Sequence, residues 1–217
     1  MSQLYPEFFQ RLDESPDAGF YAQPRLLTHI GEAASRAAGV LYDRLLPDGH
    51  VLDLMASYYS HLPPRFERVT GLGLNEVEME RNPTITGAVV RDINREPSLP
   101  FASSSFDAAV CTVSVQYLTR PLEVFAEVAR LLKPGAPFVV AFSNRMFPTK
   151  AVLAWRTSDD AAHVRLVRHY FTATDGYGKV CSENCSPEAG DPLYACWAYK
   201  ERGCGQRTEE KGLGGQD

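Results

Sequence analysis

The 217-residue sequence has no apolar run approaching the roughly 20 residues that cross a bilayer as a helix. Its first stretch, MSQLYPEFFQRLDESPD, lacks the basic start and apolar middle of a signal peptide. Both absences predict a soluble, cytoplasmic chain without a membrane partner. Surplus positive charge is missing too: 22 Lys and Arg stand against 27 Asp and Glu. The chain therefore has no general attraction for nucleic-acid phosphates or anionic lipid, and a small molecule or a protein is the easier partner. Its five cysteines, odd in number and scattered from Cys111 to Cys204, form no disulfide framework. Cys181-x3-Cys185 departs from familiar zinc spacings, and Cys196 falls in a strand pattern, so reduced thiols and no metal are expected. Glycine is scarce at one telling place. Val51–Pro64, VLDLMASYYSHLPP, opens like a nucleotide-binding strand and turn, but Met-Ala-Ser-Tyr-Tyr-Ser stands where a dinucleotide site has G-x-G-x-x-G.

With 44% hydrophobic and 23% charged residues, the chain is long enough for one sizeable core and short for two. Apolar residues from Leu26 to Leu45 recur at helical spacing and stop at Pro47 and Gly49. Five apolar runs follow, Val51–Met55, Arg68–Leu74, Gly87–Asp92, Phe106–Val115 and Pro137–Ser143. They are continuous, as in strands buried on both faces of a parallel sheet. Helical patterns separate them: a short one after Pro63, one over Glu76–Arg81, and one over Leu122–Leu132 ended by Lys133-Pro134-Gly135. Strand and helix alternating in this way predict an α/β, Rossmann-like, doubly wound sheet. Thr149–Tyr170 reads as a helix that Ser158-Asp159-Asp160 can break. Tyr177–Ser186 and Pro192–Glu201 then follow with no helix between them, as an antiparallel hairpin at a sheet edge. We expect a single domain over 1–202 with an N-terminal helical cap over 1–47, and a disordered tail over 203–217, which is almost without apolar residues.

In order, these segments resemble the class I S-adenosylmethionine (SAM) dependent methyltransferases, nearest the type 11 group, from about Leu41 to Lys200. Val51-Leu52-Asp53-Leu54 is similar to the family's opening strand. Asp92, Leu99-Pro100-Phe101 and Ser105-Phe106-Asp107 are similar to its D…LPF…SFD passage, and Glu127–Gly135 to E-x-x-R-x-L-K-P-G, with Ala136 replacing the second glycine. The resemblance implies about seven strands, mostly parallel with an antiparallel last strand. It also implies SAM as cofactor and methyl transfer to a small-molecule or protein acceptor.

Residue by residue, it places Asp53 near the methionine amino group, Asp92 at the adenine amine, and Thr112, Ser114 and Tyr117 where strand four meets the sulfonium and substrate. Tyr117 is the one candidate base. Each acid has a plainer alternative: Asp53 as acceptor for the following loop, Asp92 as a cap before Asn94. The sequence departs from the family twice. The glycine-free turn makes a remodelled loop the expectation, since a tyrosine at positive φ costs about 1–3 kcal/mol. In it, the Ser57 and Ser60 hydroxyls are available to a carboxylate, while Tyr58 and Tyr59 either cover the sulfonium or fill the hollow. The ribose-binding acid that ends strand two is replaced by Gly73. Asn75 or Glu76 is the candidate substitute, although Asn75, three residues before Glu78, is equally an N-cap with a capping-box partner. Arg145, after strand five, is either an anion anchor or a surface ion pair. His29 and His61 read as structural, and Tyr21 and Arg25 as a lid. The rival to an active methyltransferase is an inactive relative of the fold that serves as a binding module.

Overall fold

A computed structural model describes residues 5–202. The expected tail over 203–217 and Cys204 lie outside them. Seven strands form one sheet: β1 (His50–Leu54), β2 (Arg68–Gly73), β3 (Gly87–Val90), β4 (Ala108–Thr112), β5 (Pro137–Phe142), β6 (Cys181–Asn184) and β7 (Tyr194–Tyr199), in the order β3-β2-β1-β4-β5-β7-β6. β1 to β5 pair in parallel, while β7 runs antiparallel between β5 and β6. This is the Rossmann-like, mostly parallel sheet with an antiparallel last strand. The order reverses between β1 and β4, the switch point where open α/β sheets form a crevice at their carboxyl edge.

The helices are α1 (Asp17–Phe20), α2 (Glu32–Leu45), α3 (Glu76–Glu80), α4 (Pro121–Leu131), α5 (Leu153–Arg156) and α6 (Asp160–Thr172). Side chains alternate along each strand, so the sheet divides into two cores. Val51, Val69, Val110 and Val139 pack with Ala34, Ala38, Leu41 and Tyr42 of α2. Leu52, Leu72, Cys111 and Val140 pack with Phe125 and Val128 of α4 and Val167 and Phe171 of α6. The break expected near Ser158 is real: Asp159 caps α6 by accepting from the Ala162 N–H at 2.8 Å.

Two helical expectations fail. Leu26–Ile30 keeps its apolar spacing but is not helical; His29 is left-handed at φ 65° and α2 begins after Gly31. The short helix expected after Pro63 is absent, and residues 55–67 form a loop. Pro63-Pro64 cannot supply interior helix hydrogen bonds, and left-handed backbone at Met55 (φ 58°) and His61 (φ 56°) turns the chain away from a helical path. The loop is nevertheless tied down. The Ala56 N–H donates to the Leu72 carbonyl at 2.8 Å, Asn82 Nδ2 donates to the Ser57 carbonyl and Ser60 Oγ, and His61 Nδ1 meets Ser35 Oγ of α2 at 2.8 Å.

Residues ahead of α2 form a strap. The Asp13 N–H donates to the Thr149 carbonyl and the Leu153 N–H to the Gln10 carbonyl. The fully buried Lys150 ammonium lies 3.0 Å from the Asp13 carboxylate and 3.2 Å from that of Asp17, which also takes Arg11 at 2.7 Å. The buried charges are tolerable because the two cations, Lys150 and Arg11, meet two carboxylates, Asp13 and Asp17. The result carries α1 and the following residues towards the carboxyl edge of the sheet.

Candidate functional site

A cavity of about 500 Å³ opens at that edge, and Asp53, Ser57, Asn75, Asp92, Thr112 and Tyr117 all line it. Its size falls within the roughly 300–1,000 Å³ of small-molecule and cofactor sites. Asp53, the penultimate residue of β1, is 3% exposed, and its Oδ2 has no hydrogen-bond partner among the described residues. Burial pushes this carboxyl up to about 7, with the Ser60 hydroxyl offsetting part of the rise. A buried, unpartnered carboxylate oxygen is costly, and a cationic ligand group would remove that cost. Beside it, Thr112 Oγ1 is 2.6 Å from Tyr42 Oη.

The glycine-free turn does not close the cavity. Tyr59 stands at the rim, 43% exposed and edge-on to His61, and Tyr58 does not line the cavity. Met55, and not a tyrosine, takes the left-handed position directly after the strand. The turn also explains Gly73, because a Cβ there would overlap the Ala56 carbonyl oxygen and press on Met79 Sδ. The remodelled loop thus occupies the space that a side chain at the end of β2 would need.

Asn75 is the N-cap: its Oδ1 accepts from the Glu78 N–H at 3.0 Å, and its Nδ2 donates to the Tyr21 carbonyl at 2.8 Å. Its side chain is fully engaged, which favours the cap over direct ligand contact. Glu78 does not reach back to complete a capping box. Its buried carboxylate turns to the cavity, accepting the Arg25 N–H at 2.6 Å and the Ser57 hydroxyl at 2.5 Å. Glu76, the other suggested substitute, does not line the cavity. Asp92 Oδ1 accepts from the Asn94 N–H at 3.0 Å, so its loop-cap role is realised, while its other oxygen makes no hydrogen bond among the described residues.

The far wall is aromatic. Tyr117 stacks on Phe147 at 6.0 Å between centroids, and its hydroxyl accepts the Phe147 N–H at 2.9 Å. Burial pushes that phenol up to about 12. A phenol of this kind is almost wholly protonated at neutral pH, and Tyr117 forms a hydrogen-bonding part of the cavity wall. The Arg25 guanidinium lies over Phe20, Tyr21 and Phe147, at 4.5, 5.5 and 5.2 Å from their centroids. His29 and His61 also line the cavity; burial lowers both, His61 to about 4, so His61 is neutral at pH 7. Arg145 is 63% exposed, 3.7 Å from Asp191, a rim ion pair. Sequence reasoning missed Glu78 because its spacing from Asn75 already had an explanation, and it read Arg25 as a lid without seeing that its guanidinium faces a cavity.

The methyltransferase-domain family model Methyltransf_11 matches residues 54–140. The chain is 25% identical over 154 residues to the malonyl-[acyl-carrier protein] O-methyltransferase of Marinomonas sp. (strain MWYL1), covering 70% of this chain and 49% of that protein. It spans about half the length, or less, of the curated relatives it matches. Among solved structures, the 1,6-didemethyltoxoflavin-N1-methyltransferase of Burkholderia thailandensis aligns with a TM-score of 0.56 and 20% identity over 79% of this chain and 80% of that one. The [4+2]-cyclase SpnF aligns with 0.57 and 16% over 79% and 82%. The fold is that of the class I SAM-dependent methyltransferases. Within that fold, residues 54–140 match the type 11 methyltransferase-domain model, in agreement with the resemblance its motifs carry.

Proposed function

We propose that the chain binds SAM in this cavity and transfers its methyl group to a small acceptor. The observation that carries the reading is the open cavity at the carboxyl edge, in which three carboxylates, Asp53, Glu78 and Asp92, line one side and an aromatic wall the other. Donor and acceptor types fit the cofactor. Asp53 has a free, buried oxygen for an ammonium. Glu78 supplies the acid that Gly73 cannot, reaching the end of β2 from the first turn of α3, where each of its oxygens keeps a lone pair for ribose hydroxyls. Asp92 keeps an oxygen for an exocyclic amine.

When bound, SAM supplies a methyl group already activated by the sulfonium. The chain's contribution is then alignment and exclusion of water, which together are worth effective molarities of about 10⁵–10⁸ M. Tyr117 and Phe147 shape the acceptor side, and the strap carrying Tyr21 and Arg25 covers it. Tyr117 stays protonated and His61 is a weak base, so neither withdraws a proton efficiently at neutral pH. The acceptor is therefore one whose lone pair is free at that pH. The inactive-module reading requires the hollow to be filled; the positions of Tyr58 and Tyr59 support the open alternative.

Calorimetry with S-adenosylhomocysteine tests the proposal. At a hundredfold excess over Kd the ligand should stabilise the protein by about 2.7 kcal/mol. Glu78→Gln should weaken binding about tenfold or more, since hydrogen bonds to a charged group contribute roughly 1.5–3 kcal/mol. No heat and no thermal shift with millimolar SAM or S-adenosylhomocysteine would overturn it.

A further inference from the structure

Arg25 sits in an unusual electrostatic position. Its guanidinium makes no ion pair among the described residues, its Nη1 is buried without a hydrogen-bond partner, and it lines the cavity. One Nη2 hydrogen is engaged by the Phe20 carbonyl at 3.0 Å, and three aromatic rings surround the head group. Those rings favour a cation but cannot accept a planar N–H fork edge-on. A guanidinium held in this way, with its edge unmet, matches the geometry of a carboxylate, which takes two parallel N–H groups.

The backbone and side chain of Arg25 face different parts of the site. Its N–H is fixed to Glu78 of α3. The guanidinium instead lies against Phe147, which follows β5, and Phe147 in turn donates its N–H to Tyr117, which follows β4. The head group thus lies against the wall built from the residues that follow β4 and β5. Arg145, the anion anchor the sequence suggests, is already beside Asp191 at the rim.

We infer that Arg25 is a specificity-determining residue that anchors a carboxylate of the acceptor, so that the acceptor class is small carboxylic acids. This rests on the SAM-binding reading above. The anchored carboxylate is not the methylated group: charge donated into two N–H bonds lowers its nucleophilicity, and the reacting atom lies elsewhere on the acceptor.

The test titrates the full chain, saturated with S-adenosylhomocysteine, with benzoate and with benzamide as the neutral control. It reads calorimetric affinity and the Nε–Hε resonance of Arg25. Benzoate should bind more tightly than benzamide and move that resonance. Arg25→Gln should weaken benzoate about tenfold or more while leaving S-adenosylhomocysteine within about twofold, and Arg25→Lys, which keeps the charge but not the fork, should fall between. Equal binding of benzoate and benzamide, or an unshifted Arg25 resonance, overturns the inference even if Arg25→Gln does not fold. A loss of S-adenosylhomocysteine affinity in Arg25→Gln, with 5′-deoxy-5′-methylthioadenosine unaffected, also overturns it, because the carboxylate held would then be the cofactor's. If S-adenosylhomocysteine fails to bind at all, the earlier reading falls, and benzoate titration of the free protein still decides the role of Arg25.

Discussion

Replacing Asp53 by Asn should remove a pH dependence of stability that the buried carboxyl imposes. The group titrates near 7 in the folded protein and near the ordinary 3.8 when unfolded. Between those values the native state holds a proton that the unfolded chain has released. Stability therefore falls as pH rises from about 4 to about 7, and is level above. At 1.36 kcal/mol per pH unit the full effect approaches about 4 kcal/mol, and about 3 kcal/mol of it develops between pH 5 and pH 8. Urea unfolding of wild type and Asp53→Asn at pH 5, 6, 7 and 8 measures it as a difference, in which the other titrating groups cancel. The variant should gain on the wild type by about 3 kcal/mol across that range. The same carboxyl should make ligand binding depend on pH. An ammonium beside Asp53 requires the ionised form, so S-adenosylhomocysteine affinity should rise about tenfold from pH 6 to pH 8 and become flat in Asp53→Asn. A stability difference that does not change with pH would refute the account of Asp53 as a desolvated, unpartnered acid.

Gly73→Asp, which restores the acid common at this position in the family, should not restore ribose binding. Its Cβ would overlap the Ala56 carbonyl, and overpacking of this kind costs about 1–3 kcal/mol, so melting should fall by several degrees; a melting point within a degree of wild type would show that the loop yields freely. Tyr117→Phe should leave any methyl-transfer rate and its pH profile within a few-fold, because the phenol is not the base. It should destabilise the protein by about 1–3 kcal/mol by leaving the Phe147 N–H without its acceptor; a loss of rate by a factor of hundreds with unchanged stability would return Tyr117 to a chemical role.

The sheet was legible because its strands are buried on both faces: Val110, Val139 and Val140 are 0% exposed, and such strands advertise themselves as continuous apolar runs. β3 was legible from its apolar run, Gly87–Asp92, but it is not buried on both faces, since its residues are mostly exposed at the sheet edge. What misled was local pattern without local conformation. Leu26, Leu27 and Ile30 have helical spacing, yet Leu26 and Leu27 are exposed at 43% and 48% and only Ile30 is buried. A left-handed histidine between them carries no compositional signal. At the site, Asp53, Asp92 and Thr112 could be placed because they lie at or within two residues of strand ends, where the topology fixes position. Glu78 and Arg25 could not, because their direction depends on tertiary partners more than 50 residues away in the chain.

Backbone geometry gives a further reason to treat the remodelled turn as built for a purpose. Five described residues other than glycine have left-handed φ, and four of them, His29, Met55, His61 and Val113, line the cavity. Each costs about 1–3 kcal/mol, and a β-branched valine lies at the unfavourable end. Such conformations persist only where surrounding contacts determine them. Here those contacts are visible: Val113 donates its N–H to Ala141, the Ala56 amide following Met55 donates to Leu72, and His61 is held by Ser35. If the turn had merely lost its function, nothing would oppose replacement of these residues by glycine or asparagine, or relaxation of the loops into the hollow. Instead the three loops before α2, after β1 and after β4 turn sharply at the same rim and are pinned from behind. The hollow they frame keeps an unpaired carboxylate oxygen on one side and an unpaired guanidinium N–H on the other. Strain held at the rim, with opposite charges left unmet inside it, is the arrangement expected of a preorganised ligand site. A core that had simply closed over would have paired or excluded those groups.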